Sequence, residues 1–281
     1  MDTTFGVLSF ENVLFDPDLF ETYVIESVLS KENLSFIFQT PANDSCSYKK
    51  MLKRFVPSSR PENLQAYIED FCKDHHAFYS FLAEALLPIA YRDVYDFKLI
   101  LACIAINQTL VDQDTGADAC MVDFSKKQFV LGEAKFYQSY REGMTCVANN
   151  FIKSNGFYNK LDSLKRAVDN NDATHKIVIR ELGKTETTEF SLEEFLELNI
   201  SFSGFVLHEA SCPIEKYLDS HFLYDEIDLS VKKIEDNIQD VCPLPKNGKY
   251  TVTLFHLPIQ NKQKLIEHLM ATVYEVLGDA C

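Results

Sequence analysis

The sequence predicts an α/β protein: a mixed β-sheet with a central antiparallel hairpin, flanked by helices. Three observations predict it. Residues Gly116 to Tyr137 hold two strand-like runs around a short turn. Upstream, Ala77 to Tyr91 repeats apolar residues at helical spacing. Downstream, strand-like and helix-like stretches alternate, which favours parallel pairing.

The hairpin is the most informative stretch. Its second run sets Phe129, Leu131, Glu133, Lys135 and Tyr137 on one face and Val130, Gly132, Ala134 and Phe136 on the other. Side chains alternate with period two along a strand, so Glu133 and Lys135 point the same way. With the turn centred on Ser125 and Lys126, paired residue numbers sum to 251, and Asp118 stands across from Glu133. Directly opposed residues share a face, with Cβ atoms roughly 5 Å apart. Two carboxylates and a lysine therefore converge. Facing carboxylates repel, and a divalent cation such as magnesium, or manganese in its place, offsets that. Asp, Glu-x-Lys and such a metal are equipment for phosphodiester hydrolysis. A second acidic-x-Lys, Asp96-Phe97-Lys98, lacks an Asp in cross-strand register. The competing reading of Glu133 and Lys135 is an ordinary ion pair on an edge hairpin.

The remaining elements follow in chain order. Phe5 to Leu14 and Leu34 to Gln39 are expected as strands, with a short helix over Phe20 to Leu29. Pro41 to Ser45 reads as a loop. Lys49, Lys50, Lys53 and Arg54 form the densest basic patch, either a solvated helix face or a contact for phosphate or a partner. After the break at Pro57 to Pro61, Leu64, Tyr67, Ile68, Phe71 and Cys72 repeat at helical spacing. In the helix over Ala77 to Tyr91, Glu84 falls among Phe81, Leu82, Ala85 and Leu86. An acid so placed must be paired, solvated or bound to a cation unless it lies on an outer face.

Strands are expected at about 98–107, 117–123, 128–135, 175–181 and 202–208. Asp112 and Asp114 sit in a polar turn. After Tyr137 a long helical stretch carries Arg141, Lys153, Lys160, Lys165 and Arg166, while Gln138 is the polar residue nearest the hairpin acids. Ser191 and Glu194 form a capping box. Ile214 to Asp240 is mixed and helical at both ends. Tyr250 to Leu257 is a last strand ending at Pro258, and Lys262 to Leu277 a last helix.

Composition bounds the function. The 281 residues are 46% hydrophobic, enough for a sizeable core. No apolar run approaches the roughly 20 residues that span a bilayer, and Met1 to Thr4 does not read as a signal peptide. Eight scattered cysteines without a C-x-x-C suggest a reduced, cytoplasmic protein. The seven histidines lack ligand spacing, which argues against a zinc site. No Gly-rich phosphate loop occurs, so no ATPase activity is expected. The net charge of −15 opposes unaided binding to DNA, whose phosphates require cations. Either the basic residues cluster or a partner supplies the grip.

The run Gly116-Ala117-Asp118, followed by Gly132-Glu133-Ala134-Lys135-Phe136-Tyr137, resembles the signature of the HamA proteins. The segment Phe81 to Leu87 resembles that family's helix carrying an acidic residue. HamA is the nuclease-like subunit of the Hachiman antiphage defence system, within the PD-(D/E)XK nuclease superfamily. The resemblance implies a restriction-endonuclease-like core, Asp118 and Glu133 as metal ligands, Lys135 assisting hydrolysis and Glu84 as a supporting acid. It implies DNA as substrate and a HamB-like helicase subunit as partner. Residues 1–60 then form an N-terminal extension and 61–281 the nuclease-like domain. Two other readings fit the same residues: an inactive nuclease fold that binds and regulates its partner, and an RNA-directed nuclease.

Overall fold

A computed structural model describes residues 2–7, 22, 25–38, 45–53, 66, 76–95, 97–101, 118–123, 125–153, 199–219, 222–241 and 250–278. The elements are β1 (Asp2–Val7), α1 (Lys31–Ile37), α2 (Ser45–Leu52), α3 (His76–Tyr95), β2 (Lys98–Leu101), β3 (Ala119–Asp123), β4 (Gln128–Tyr137), α4 (Tyr140–Phe151), β5 (Asn199–Glu209), a 3-10 turn (Ile214–Leu218), α5 (Tyr224–Val241), β6 (Thr251–Ile259) and α6 (Lys262–Gly278). The six strands form one mixed sheet in the order β1-β6-β5-β4-β3-β2. β4 pairs antiparallel with β3 and parallel with β5, so it lies inside the sheet with a neighbour on each side.

The hairpin register is the one read from the sequence. Ala119 faces Gly132, Cys120 faces Leu131 and Asp123 faces Gln128. The turn holds because Asp123 Oδ1 accepts from the Ser125 hydroxyl and the Lys126 backbone N–H, while Lys126 Nζ lies 2.8 Å from Asp123 Oδ2. These contacts pull the Asp123 carboxyl down to about 2, against the opposing effect of partial burial. Lys127 closes the turn with φ at 50°, a left-handed conformation costly for a side chain with a Cβ.

Each sheet face buries its own core. On one face Ala119, Met121, Val130, Ala134 and Phe136 pack with α3, α1, α2 and α6. On the other, Cys120, Val122, Phe129 and Leu131 pack with α4 and α5. Residues 81–91 of α3 are buried throughout, as a helix apolar on all sides should be. β1 comes from the N-terminal segment and pairs parallel with β6, and Ile25 to Leu52 contribute to the first core.

Several expectations need correction. Leu34 to Ile37 is helical, not a strand. Ser30 caps α1 by accepting from the Asn33 N–H, and Leu34 and Ile37 recur at helical spacing on its buried side. The first strand is Asp2–Val7 and therefore starts before Phe5. β4 continues to Tyr137 because β5 pairs with it that far. β6 runs through Pro258 to Ile259, past Leu257, with Pro258 paired in register with His208 of β5. The expected strand at 175–181, the rest of 98–107, the helix after Pro61 and the Ser191 capping box lie outside the described residues.

Candidate active site on strand β4

The alternation along β4 brings Glu133 and Lys135 to the α4 side of the sheet, the side that also buries Phe129 and Leu131. Asp118 lies in a bend one residue before β3 and donates its N–H at 3.2 Å to the carbonyl of Gly132, the residue that Ala119 already faces, so the regular pairing ends at Ala119. Asp118 Oδ2 accepts from the Ala134 N–H at 2.7 Å and from Lys135 Nζ at 3.1 Å. Lys135 Nζ also lies 2.8 Å from Glu133 Oε1. The three predicted groups thus meet at one point. They are not a surface pair: Glu133 is buried at 4% exposure.

Sequence reasoning missed Asn150. Its side-chain amide, on α4, donates to the same Glu133 Oε1. The signal was faint, a polar residue beside the buried Val147, Ala148 and Phe151.

The electrostatics are those of a site short of positive charge. Burial works against the ammonium of Lys135, yet Asp118 and Glu133 outweigh it and raise its pKa above the ordinary lysine value. Lys135 therefore stays charged at neutral pH and is suited to stabilising anions rather than abstracting protons. Glu84, buried at 8% exposure, is pushed up to about 8, by burial first and then by the charge of Asp118; Lys135 opposes this and Glu133 adds to it. Glu84 is neutral at pH 7 chiefly because burial penalises its carboxylate, with the charge of Asp118 adding to the effect.

With Glu84 protonated, two carboxylates share one lysine here, so a further cation suits the residues present. Among the described residues no group of three or more His, Cys, Asp or Glu is placed to hold a metal ion. An ion at this point would rest on Asp118 and Glu133 with water completing its shell, the habit of magnesium.

Beside the site, an open pocket of about 560 Å³ is lined by Tyr137, Arg141, Glu142, Thr145, Cys146 and Asn149. A hydrogen bond donated by the Tyr137 hydroxyl to Cys146, together with partial burial, raises the Tyr137 pKa. Gln138, Arg141 and Lys153 are exposed, as are Lys50 and Lys53. Asp96, Asp112, Asp114, Lys160, Lys165, Arg166 and Arg54 lie outside the described residues. Among the described residues no helix is long and apolar enough to cross a membrane.

Neither the curated proteins nor the solved structures compared with the chain include a significant match. A family model described as HamA matches residues 17–273, a span that contains Glu84, Asp118, Glu133 and Lys135. The chain belongs to the HamA family, a component of the Hachiman antiphage defence system.

Proposed function

We propose that the chain is a metal-dependent DNA nuclease of the PD-(D/E)XK type, delivered to its substrate by a HamB-like helicase subunit. The observation that carries this reading is the bridge of Lys135 between Asp118 and Glu133 on an interior strand. Asp118 and Glu133 would hold magnesium or manganese. Bound there, the ion would polarise a phosphoryl oxygen and supply a water of lowered pKa. Lys135, fully charged, faces the negative charge that develops on the phosphate in the transition state. The Ala134 N–H keeps Asp118 oriented, and Glu84 stays protonated, sparing the site a third negative charge. The acidic chain binds DNA weakly by itself, since −15 net charge opposes phosphate, and the partner supplies the grip.

The test is cleavage of plasmid DNA and of RNA, with and without the helicase subunit, in Mg²⁺, Mn²⁺ or EDTA. Expected are DNA cleavage that stops in EDTA and a loss of at least about 100-fold in Glu133→Ala and Lys135→Ala with circular dichroism unchanged. Full activity in a verified Glu133→Ala sample would overturn the assignment. Cleavage of RNA alone, or helicase binding without any cleavage, would establish one of the two competing readings.

A further inference from the structure

We infer that Asn150 is a positioning residue for Glu133: its amide, reaching across from α4, fixes the direction in which the Glu133 carboxylate faces the proposed metal site. The inference rests on the nuclease reading above.

Glu133 Oε1 accepts from Lys135 Nζ and from Asn150 Nδ2. They differ in origin. Lys135 lies two residues along the same strand and moves with Glu133. Asn150 belongs to another layer, and it ties the carboxylate to α4. They differ in charge as well. A divalent cation approaching the carboxylates repels an ammonium but not a neutral amide. Asn150 is therefore a donor able to hold Glu133 with or without an ion, without competing for it. Carboxylates that ligate metals are held by such outer hydrogen bonds, and their loss costs about 10–100-fold in metal affinity or activity.

The position of α4 is itself narrowly set. At Gly143 a Cβ would collide with Val206 of β5. At Gly204 of β5 a Cβ would lie 2.6 Å from Val147 Cγ1 and 2.9 Å from Leu254 Cδ2. Two glycines, one on each partner, let the helix rest on the sheet where a larger side chain would not fit. Met144, Val147, Ala148 and Phe151 anchor it in the core. The neighbouring Asn149 accepts from Lys233 of α5, which holds the same turn from the outer side. Asn150 thus reaches Glu133 from a fixed helix.

The experiment titrates Mn²⁺ by calorimetry into the metal-free full chain, comparing wild type with Asn150→Leu, Asn150→Ser and Glu133→Ala. Leucine keeps the volume and removes the donor, while serine keeps polarity but is too short to replace the amide. The expected result is Mn²⁺ affinity about tenfold or more weaker in Asn150→Leu and Asn150→Ser, and lost in Glu133→Ala. Cleavage with the helicase subunit should recover in the Asn150 variants as Mn²⁺ is raised. A merely structural asparagine would lower the melting temperature and leave the Mn²⁺ affinity of the folded fraction unchanged. Wild-type affinity in a folded Asn150 variant, with loss in Glu133→Ala, overturns this inference and leaves the nuclease reading standing. No Mn²⁺ binding by wild type overturns both.

Discussion

Ala134 donates its backbone N–H to Asp118 Oδ2 at 2.7 Å, so one candidate metal ligand is tied to the strand that carries the other. The donor is main chain, and substituting the Ala134 side chain does not remove it. Asp118→Asn keeps a carbonyl oxygen able to accept this bond and loses only the charge. It should fold with stability close to wild type and lose at least about 100-fold in cleavage. Asp118→Ala leaves the N–H without its acceptor and should cost a further 1–3 kcal/mol or so of stability. Urea denaturation and a cleavage assay on the same samples separate the two effects.

Glu84 makes stability depend on pH in an unusual direction. Its folded pKa is about 8, against 4.5 for an unperturbed glutamate. Between those values the native chain binds a proton that the unfolded chain has released. The contribution is complete below pH 4.5 and is lost as pH rises through about 8. Glu84→Gln is neutral at every pH and escapes that loss. Its stability relative to wild type should rise between pH 5 and 8.5 by on the order of a few kcal/mol, read from urea midpoints. An unchanged difference would mean that Glu84 is ionised in the folded chain.

His208 and His256, both at 0% exposure, act in the opposite sense. Burial lowers them to about 4 and about 3, and for His256 the neighbouring His208 adds to the effect. His208 Nδ1 lies 3.0 Å from the Glu209 carbonyl, which can only accept, so that nitrogen carries the proton. His208 Nε2 then accepts from His256 Nδ1 at 3.1 Å. As pH falls below about 6.5 the unfolded rings take up protons that the folded pair refuses. The pair alone should cost about 3–4 kcal/mol between pH 7 and pH 5. His256→Gln should remove about half of that loss, measured as the difference in pH dependence from wild type, in which Glu84 cancels.

Lys127 occupies φ of 50° at the hairpin turn. Its backbone carbonyl accepts from the Asn199 N–H at 2.7 Å, a contact that any residue preserves. Lys127→Gly should therefore stabilise the fold by about 1 kcal/mol, seen as a higher urea midpoint with unchanged slope.

The hairpin was legible in the sequence because strand periodicity and a short turn leave one register that buries Phe129 and Leu131 on one side. That register carried Asp118, Glu133 and Lys135 together before any coordinates. The helix expected over Ala77 to Tyr91 was legible from its apolar spacing, as was the position of Glu84 within it, and it extends to Tyr95 in the structure. What Glu84 does was not, because its neutrality depends on burial and on Asp118, which only the folded chain supplies. Leu34 to Ile37 was misread since four apolar and small residues fit both periods; the Ser30 cap decides for helix. The histidine pair is separated by 48 residues and meets only because β5 and β6 are neighbours. Asn150 was invisible for a similar reason: nothing in its own helix says which strand lies beneath it.

The most direct test of the central claim is an anomalous-difference map from crystals of the chain soaked in Mn²⁺. The expected result is one strong peak in contact with the carboxylates of Asp118 and Glu133, absent in Glu133→Ala crystals. At saturating Mn²⁺, no peak there, with Lys135 still bridging both carboxylates, would contradict it.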